Sequence, residues 1–185
     1  AELSNAIPTK PLIFSKYPTC VIGTGENVQW QNDITQKVDW EGELVVVIGK
    51  TAKNISEEDA YEHIFGYTIA NDISARDLQD SESQWVRAKA QDTFCPLGPG
   101  IVTTDEIIDP HTLQIVTKVN GEIMQNGNTK DMIFKIPYLV SYLSRTFTLL
   151  PGDLILTGTP SGVGKAMKPP RFLNDGDEVT VEIEG

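Results

Sequence analysis

Cysteine and histidine are scarce in this 185-residue chain, with two of each: Cys20, Cys95, His63 and His111. No Cys-x-x-Cys pair occurs and the histidines are far apart in sequence, which argues against a Cys/His zinc site. Two thiols give no disulfide framework and fit a reducing intracellular compartment, either cytoplasm or mitochondrial matrix. No apolar run approaches the ~20 residues needed to span a bilayer, and no signal-peptide pattern is present. Positive charge is short as well: 15 Lys and Arg face 26 Asp and Glu, a formal net charge of -11. That balance excludes a broad nucleic-acid or anionic-membrane surface, since both need clustered basic residues. A small anionic ligand is still possible where a local cation reverses the field. The rest is ordinary: 39% hydrophobic and 22% charged residues describe a globular protein of about one domain.

Fifteen glycines and eleven prolines punctuate short Val/Ile/Thr-rich runs, so the chain reads as mainly β with a few helices, an α+β class. Strands are expected at Leu44–Ile48, Tyr67–Asp72, Gly100–Thr103, Gln114–Val119, Leu154–Leu156 and Glu178–Ile183. The stretch opened by Ser56 reads as a capping box leading into a helix through Phe65, with Ala60 and Ile64 on one face. A second helix is expected from Ile136 to Phe147, with Pro137 tolerated in its first turn. Val119-Asn-Gly-Glu is a hairpin turn of the Asn-Gly type. Both ends are abrupt and read as cut from longer elements.

Three acidic residues stand where acidic residues are hard to explain. Glu41 and Glu43 open the run Glu-Gly-Glu-Leu-Val-Val-Val-Ile-Gly, and Asp72 follows the uncharged stretch from Phe65 to Asn71. Side chains alternate along a strand, so Glu41 and Glu43 share a face with Val45 and Val47. Two inward carboxylates repel each other and lose hydration, so they take up protons or meet a cation. A third at the end of a neighbouring strand completes an all-oxygen site, suited to magnesium, manganese or calcium. The plainer alternative is that the glutamates mark the solvated entry to the strand.

Other residues carry two readings each. Arg76 offers a planar fork for a carboxylate, or forms a surface ion pair with Asp77; like Asp72 and Gln79, it lies just beyond a strand. Lys89, flanked by alanines, is either a snorkelling surface lysine or the counter-charge of an anionic intermediate. Leu156-Thr-Gly-Thr-Pro-Ser-Gly-Val-Gly holds the hydroxyls of Thr157, Thr159 and Ser161 on a flexible backbone, and lacks the ending of a P-loop.

In order, Pro11-Leu-Ile-Phe-Ser-Lys, Asp39-Trp-Glu-Gly-Glu-Leu-Val-Val-Val-Ile-Gly, Asn71-Asp-Ile-Ser-Ala-Arg-Asp, Asp92-Thr-Phe-Cys-Pro-Leu-Gly-Pro, Val119-Asn-Gly-Glu and the Thr-Gly-Thr-Pro-Ser-Gly segment resemble the fumarylacetoacetate hydrolase family. The resemblance runs from Glu2 to Glu184. Its wording around Val38-Asp-Trp-Glu and Lys168-Pro-Pro-Arg-Phe is most similar to the domain-containing protein 2 branch. It implies a rolled β-sheet fold, a homodimer, and a divalent ion (Mg, Mn or Ca) held at Glu41, Glu43 and Asp72. It further implies a catalytic lysine at Lys89 and substrate contacts at Arg76, Gln79 and Thr159. Family members often carry a His-x-x-Glu pair on an N-terminal lid. Glu2 matches its glutamate, and the histidine would fall before Ala1. Residues 1–185 are thus expected to be a catalytic domain lacking part of its N-terminal lid and its extreme C-terminus.

The substrates that the resemblance implies are small 2-oxo acids, enolised beside the ion and Lys89. Proton return makes a tautomerase, loss of carbon dioxide a decarboxylase, and attack by a positioned water a C–C hydrolase. The branch implies oxaloacetate keto–enol tautomerisation, with acylpyruvate-type hydrolysis or oxaloacetate decarboxylation next. A rival of another class is an inactive, metal-stabilised scaffold. Retention of Lys89, Arg76 and Thr159 weighs against it.

Overall fold

Val, Ile and Leu crowd residues 44–48, and these become the middle of a strand in which every residue is buried. The computed structural model describes residues 7–185. Its strands are β1 (Val21–Gly23), β2 (Val38–Asp39), β3 (Gly42–Ile48), β4 (Ile64–Asn71), β5 (Ser74–Ala75), β6 (Cys95–Thr103), β7 (Gln114–Val119), β8 (Glu122–Asn128), β9 (Leu154–Leu156) and β10 (Val179–Ile183). The helices are α1 (Arg76–Ser81), α2 (Val86–Lys89) and α3 (Ile136–Thr146). Three sheets result, in the orders β1-β6-β4-β3-β9, β10-β7-β8 and β2-β5. All pairings are antiparallel except the short β1–β6 contact. The mainly β architecture with a few helices agrees with the composition.

Alternation along β3 divides the interior in two. Val45 enters one core with Trp40, Ile73 and Phe94. Leu44, Val46 and Ile48 enter another with Tyr67, Ile155 and α3. Helix α3 serves that second core through Ile136 and Val140, buried one turn apart, with Leu143 packed beside them. Its first free N–H, that of Ile136, donates to His111 Nε2 at 3.1 Å. The face of β3 that carries Val45 also carries Glu43, so the acidic site sits on the rim of a packed core.

Two expectations need correction. Residues 56–65 do not form a helix; a single 3-10 turn, Ala60–His63, leads straight into β4. The acidic residue three places after Ser56 is Asp59, whose carboxylate takes the Ser56 hydroxyl at 2.7 Å rather than reaching back to the backbone. Ile64 and Tyr67 are then drawn into the sheet, where cross-strand burial outweighs local helix preference. Strand β8, which the sequence reading omitted, contains Gln125, Asn126, Gly127 and Asn128, all poor strand formers. It is held by its ladder to β7 across the Asn-Gly hairpin, where Asn120 (φ 52°) and Gly121 (φ 78°) take the left-handed conformations of a type I′ turn.

Candidate active site

The register of one strand pair brings the three acids together. Gly42 lies opposite Asn71 and Glu43 opposite Ala70, so Glu41 and Asp72 flank the same end of the β3–β4 ladder. The Asp72 N–H donates to the Glu41 carbonyl at 2.8 Å, and the Glu41 N–H to the Asn71 side chain at 2.9 Å. Small Ala70 across from Glu43 leaves the carboxylates room to converge. One oxygen from each of Glu41, Glu43 and Asp72 lies within 4.8 Å of the others, and the three residues are only 8, 3 and 1% exposed. The solvated-strand-entry alternative is therefore excluded.

Cations are packed against this cluster from three different segments. Lys89, the last residue of α2, donates to Glu41 Oε2 at 2.7 Å and Asp72 Oδ2 at 2.8 Å. Arg76, the first residue of α1, pairs through Nη1 with Glu41 at 2.7 Å and through Nε with Asp39 at 2.8 Å. Lys16 reaches in from the extended lead-in segment to Asp72 Oδ1 at 2.6 Å and to the Lys89 carbonyl. Arg76 and Lys89 are both 1% exposed, so neither is a surface residue. The expected Arg76–Asp77 surface pair does not form: Asp77 instead accepts from the Thr35 hydroxyl and the Gln36 N–H.

The far side is built by the loop after β9. Gly158 takes φ 99°, a conformation that suits glycine, and turns its N–H onto Glu43 Oε2 at 2.6 Å. Thr159 donates its hydroxyl to the Gly42 carbonyl at 2.9 Å and accepts from Gln125 Nε2 at 2.7 Å. Gln125 Oε1 in turn accepts the Gly42 N–H at 3.0 Å. Buried Gln125 thus ties the start of β3 to the loop that faces Glu43.

Charge is left over. Asp39, Glu41, Glu43 and Asp72 confront only Lys16, Arg76 and Lys89, and Glu43 alone has no cationic partner among the described residues. Burial, with Asp72 and Glu41 nearby, pushes the Glu43 carboxyl well above its ordinary pKa. For Asp72 burial also works upward, but Lys89 and Lys16 outweigh it and hold the group below its usual value. Burial acts against the Lys89 ammonium, yet Glu41 and Asp72 prevail and raise its pKa. A converging, under-compensated, all-oxygen donor set is what a hard divalent cation requires. Glu41, Glu43 and Asp72 fit such an ion.

The cluster opens into a cavity of about 530 Å³ lined by Arg76, Gln79, Lys89 and Thr159 as well as the three acids. The sequence-predicted residues therefore share one cavity, apart from Glu2, which lies outside the described residues. Lys16, Asp39 and Gln125 were missed. Lys16 had a signal, because it ends the Pro11-Leu-Ile-Phe-Ser-Lys motif. Asp39 had the same kind of signal, because it opens the Asp39-Trp-Glu-Gly-Glu motif. Gln125 had none, since its partners Gly42, Thr159 and Pro160 come from segments far away in the chain.

The family described as fumarylacetoacetate (FAA) hydrolase, C-terminal, matches residues 1–185. The chain is 51% identical over 178 residues to oxaloacetate tautomerase YisK of Bacillus subtilis, covering 96% of this chain and 59% of that protein. It is 51% identical over 185 residues to the human mitochondrial oxaloacetate tautomerase FAHD2A, covering 99% and 59%. Among solved structures, a fumarylacetoacetate hydrolase from Exiguobacterium antarcticum superposes with a TM-score of 0.92 at 46% identity, covering 95% of this chain and 63% of that one. A 2-hydroxyhepta-2,4-diene-1,7-dioate isomerase from Mycobacterium marinum gives 0.88 at 46% identity, covering 96% and 66%. The chain thus spans 59% of the length of these curated relatives. With that match over its whole length, and with the fold and acidic centre in place, the chain belongs to the fumarylacetoacetate hydrolase family.

Proposed function

We propose that this chain carries the catalytic centre of a divalent-metal-dependent oxaloacetate keto–enol tautomerase. The observation that carries the reading is the Glu41–Glu43–Asp72 cluster with the Lys89 ammonium set against it, beside an arginine that still has a donor to give. The two curated relatives above bear the tautomerase name, which supports the choice of reaction. A divalent ion, magnesium or else manganese or calcium, would supply Lewis-acid polarisation of a 2-oxo acid.

The chain's own residues divide the remaining work. Arg76 Nη2 is buried and finds no acceptor among the described residues, although Nε and Nη1 are both committed. An unpaired guanidinium N–H costs free energy, which a ligand carboxylate would recover. Gln79 accepts from Arg76 Nη1 at 2.8 Å, which orients its amide so that the NH2 is left to donate. Lys89 spends two of its three N–H groups on Glu41 and Asp72 and keeps one for charge that develops on the substrate oxygen.

Enolisation needs this cationic oxyanion site. Hydrolysis needs in addition a base that aims water, and decarboxylation needs the distal carboxylate left unpaired. The test is the enol-to-ketone conversion of oxaloacetate, followed optically with and without chelator, beside acylpyruvate cleavage and carbon dioxide release. Chelator-sensitive tautomerisation with little cleavage is the expected result. Efficient acylpyruvate cleavage without it replaces tautomerase by hydrolase. No turnover in any assay leaves a metal-stabilised scaffold. The homodimer that the family resemblance implies belongs to the same proposal and is read from the molar mass in solution.

A further inference from the structure

The cavity is too large and too apolar for oxaloacetate alone. At about 530 Å³ it falls in the ~300–1,000 Å³ range of sites for drug-sized ligands, whereas a four-carbon diacid occupies only its polar end. Most of its remaining wall is hydrocarbon and aromatic, interrupted by Asn128, Thr129, Asp131 and Ser161. Phe14 and Trp85 meet at 5.7 Å between ring centroids and 58° between planes, and the Phe14 ring lies 5.3 Å from the Lys89 ammonium. Leu12 and Ile133 line the same space yet are 65% and 46% exposed, apolar surface that a ligand would cover. Charge points the same way. The lining cations, Lys89 and Arg76, are both held at Glu41, and among the described residues the one charged lining group beyond the site already described is Asp131. A ligand arm extending past Arg76 therefore meets mostly rings and aliphatic carbon, a few neutral polar groups and one negative charge.

We propose that the centre also tautomerises 2-oxo acids bearing an aryl group on C3, with the Phe14–Trp85 wall as the aryl subsite. The proposal rests on the reading of the polar end as an enolisation site. The reaction is an isomerisation without redox change. The enol O–H loses its proton, the C2–C3 π pair forms a new C3–H bond with a proton taken up, and C2–O becomes the ketone. An aryl group on C3 conjugates with the enolate as the C3 carboxylate of oxaloacetate does, so both substrates pass through an enolate whose oxygen Lys89 would face.

The experiment follows the enol decay of phenylpyruvate and of oxaloacetate in the same preparation of the full chain, with and without chelator. Chelator-sensitive acceleration of both is expected. 3-Phenyllactate, which carries the ring on C3 and has no ketone to enolise, should inhibit oxaloacetate turnover at least about tenfold more tightly than lactate does, a discrimination within reach of an apolar pocket. Leu12→Asp and Ile133→Asp should each lower the ratio of phenylpyruvate to oxaloacetate kcat/KM by at least about tenfold. Because a ratio is read, a variant that merely damages the fold lowers both and leaves the ratio unchanged; 3-phenyllactate inhibition of the parent then decides. Oxaloacetate turnover with phenylpyruvate decaying at its uncatalysed rate, or equal inhibition by 3-phenyllactate and lactate, overturns the aryl subsite and leaves the proposed function intact. Failure of both substrates overturns the proposed function, and the inference with it.

Discussion

Glu43 is the carboxylate with the least compensation, so Glu43→Gln separates metal binding from fold. The substitution keeps the shape and the acceptor for the Gly158 N–H, and it deletes one negative charge from the cluster. At a metal concentration of about 100 times Kd, binding to the native state stabilises the parent by about 2.7 kcal/mol. For a domain of this size that raises Tm by roughly 5–11 °C. Outer-shell partners of metal ligands are worth ~10–100-fold in affinity, so loss of a direct carboxylate should weaken binding at least about 100-fold. The variant then sits near its own Kd, and its gain falls to about 0.4 kcal/mol, or roughly 1–2 °C. In chelator the order reverses. The Glu43 pKa is raised on folding, so its favourable contribution is present below the ordinary carboxylate value and is lost as pH rises through the folded value. Above that point the parent buries an ionised, poorly paired carboxylate and the Gln variant does not. Thermal unfolding of both proteins, with chelator and with Mg, Mn or Ca, reads both effects. Equal metal-induced shifts in parent and variant would show that Glu43 is not a ligand. No shift in the parent with any of the three ions would refute the metal site.

Lys89→Met should keep the metal-induced rise in Tm while kcat for oxaloacetate falls at least about 100-fold; unchanged kcat removes its catalytic role. Arg76→Met strands Asp39 in a buried site and should cost about 3–5 kcal/mol in denaturant unfolding, part of it recovered by adding Asp39→Asn. A loss under about 1 kcal/mol would mean that Asp39 finds other compensation in its bonds from the Gly164 and Lys165 N–H groups. His111 must be unprotonated at Nε2 to accept the Ile136 N–H. Burial first, then Lys135, lowers its pKa, against the opposing pull of Asp109. Its contribution is therefore full above its ordinary pKa and is lost as pH falls through the lower folded value. Tm measured between about pH 5 and 7 should drop on acidification in the parent and less in His111→Gln.

The strongest sequence signals were those in which one segment carries its own constraint. Gln114–Val119 and Leu154–Leu156 were legible to the residue because their apolar runs are bounded by turn residues. The Asn120–Gly121 turn was legible because few residue pairs tolerate two positive φ values. Period-2 alternation put Glu41 and Glu43 on one face, and inward carboxylates have few uses besides a cation. The failures share one cause. The turn near Ser56, the strand β8 and the partner of Arg76 depend on which distant segment lies alongside, and local preference is weak against that choice.

By itself, then, the sequence determined the mainly β class, the shared face of the two glutamates and, through ordered motifs, the family. Only the tertiary structure decided that Asp72 closes the acidic cluster across the β3–β4 ladder. It also decided that Arg76 turns away from Asp77 to Asp39, and that Lys16 and Lys89 share Asp72 from segments far apart in the chain. Alternation along one strand is a local property of the backbone. Compensation of buried charge is settled between segments, because a carboxylate removed from water pairs with whatever cation the packing delivers.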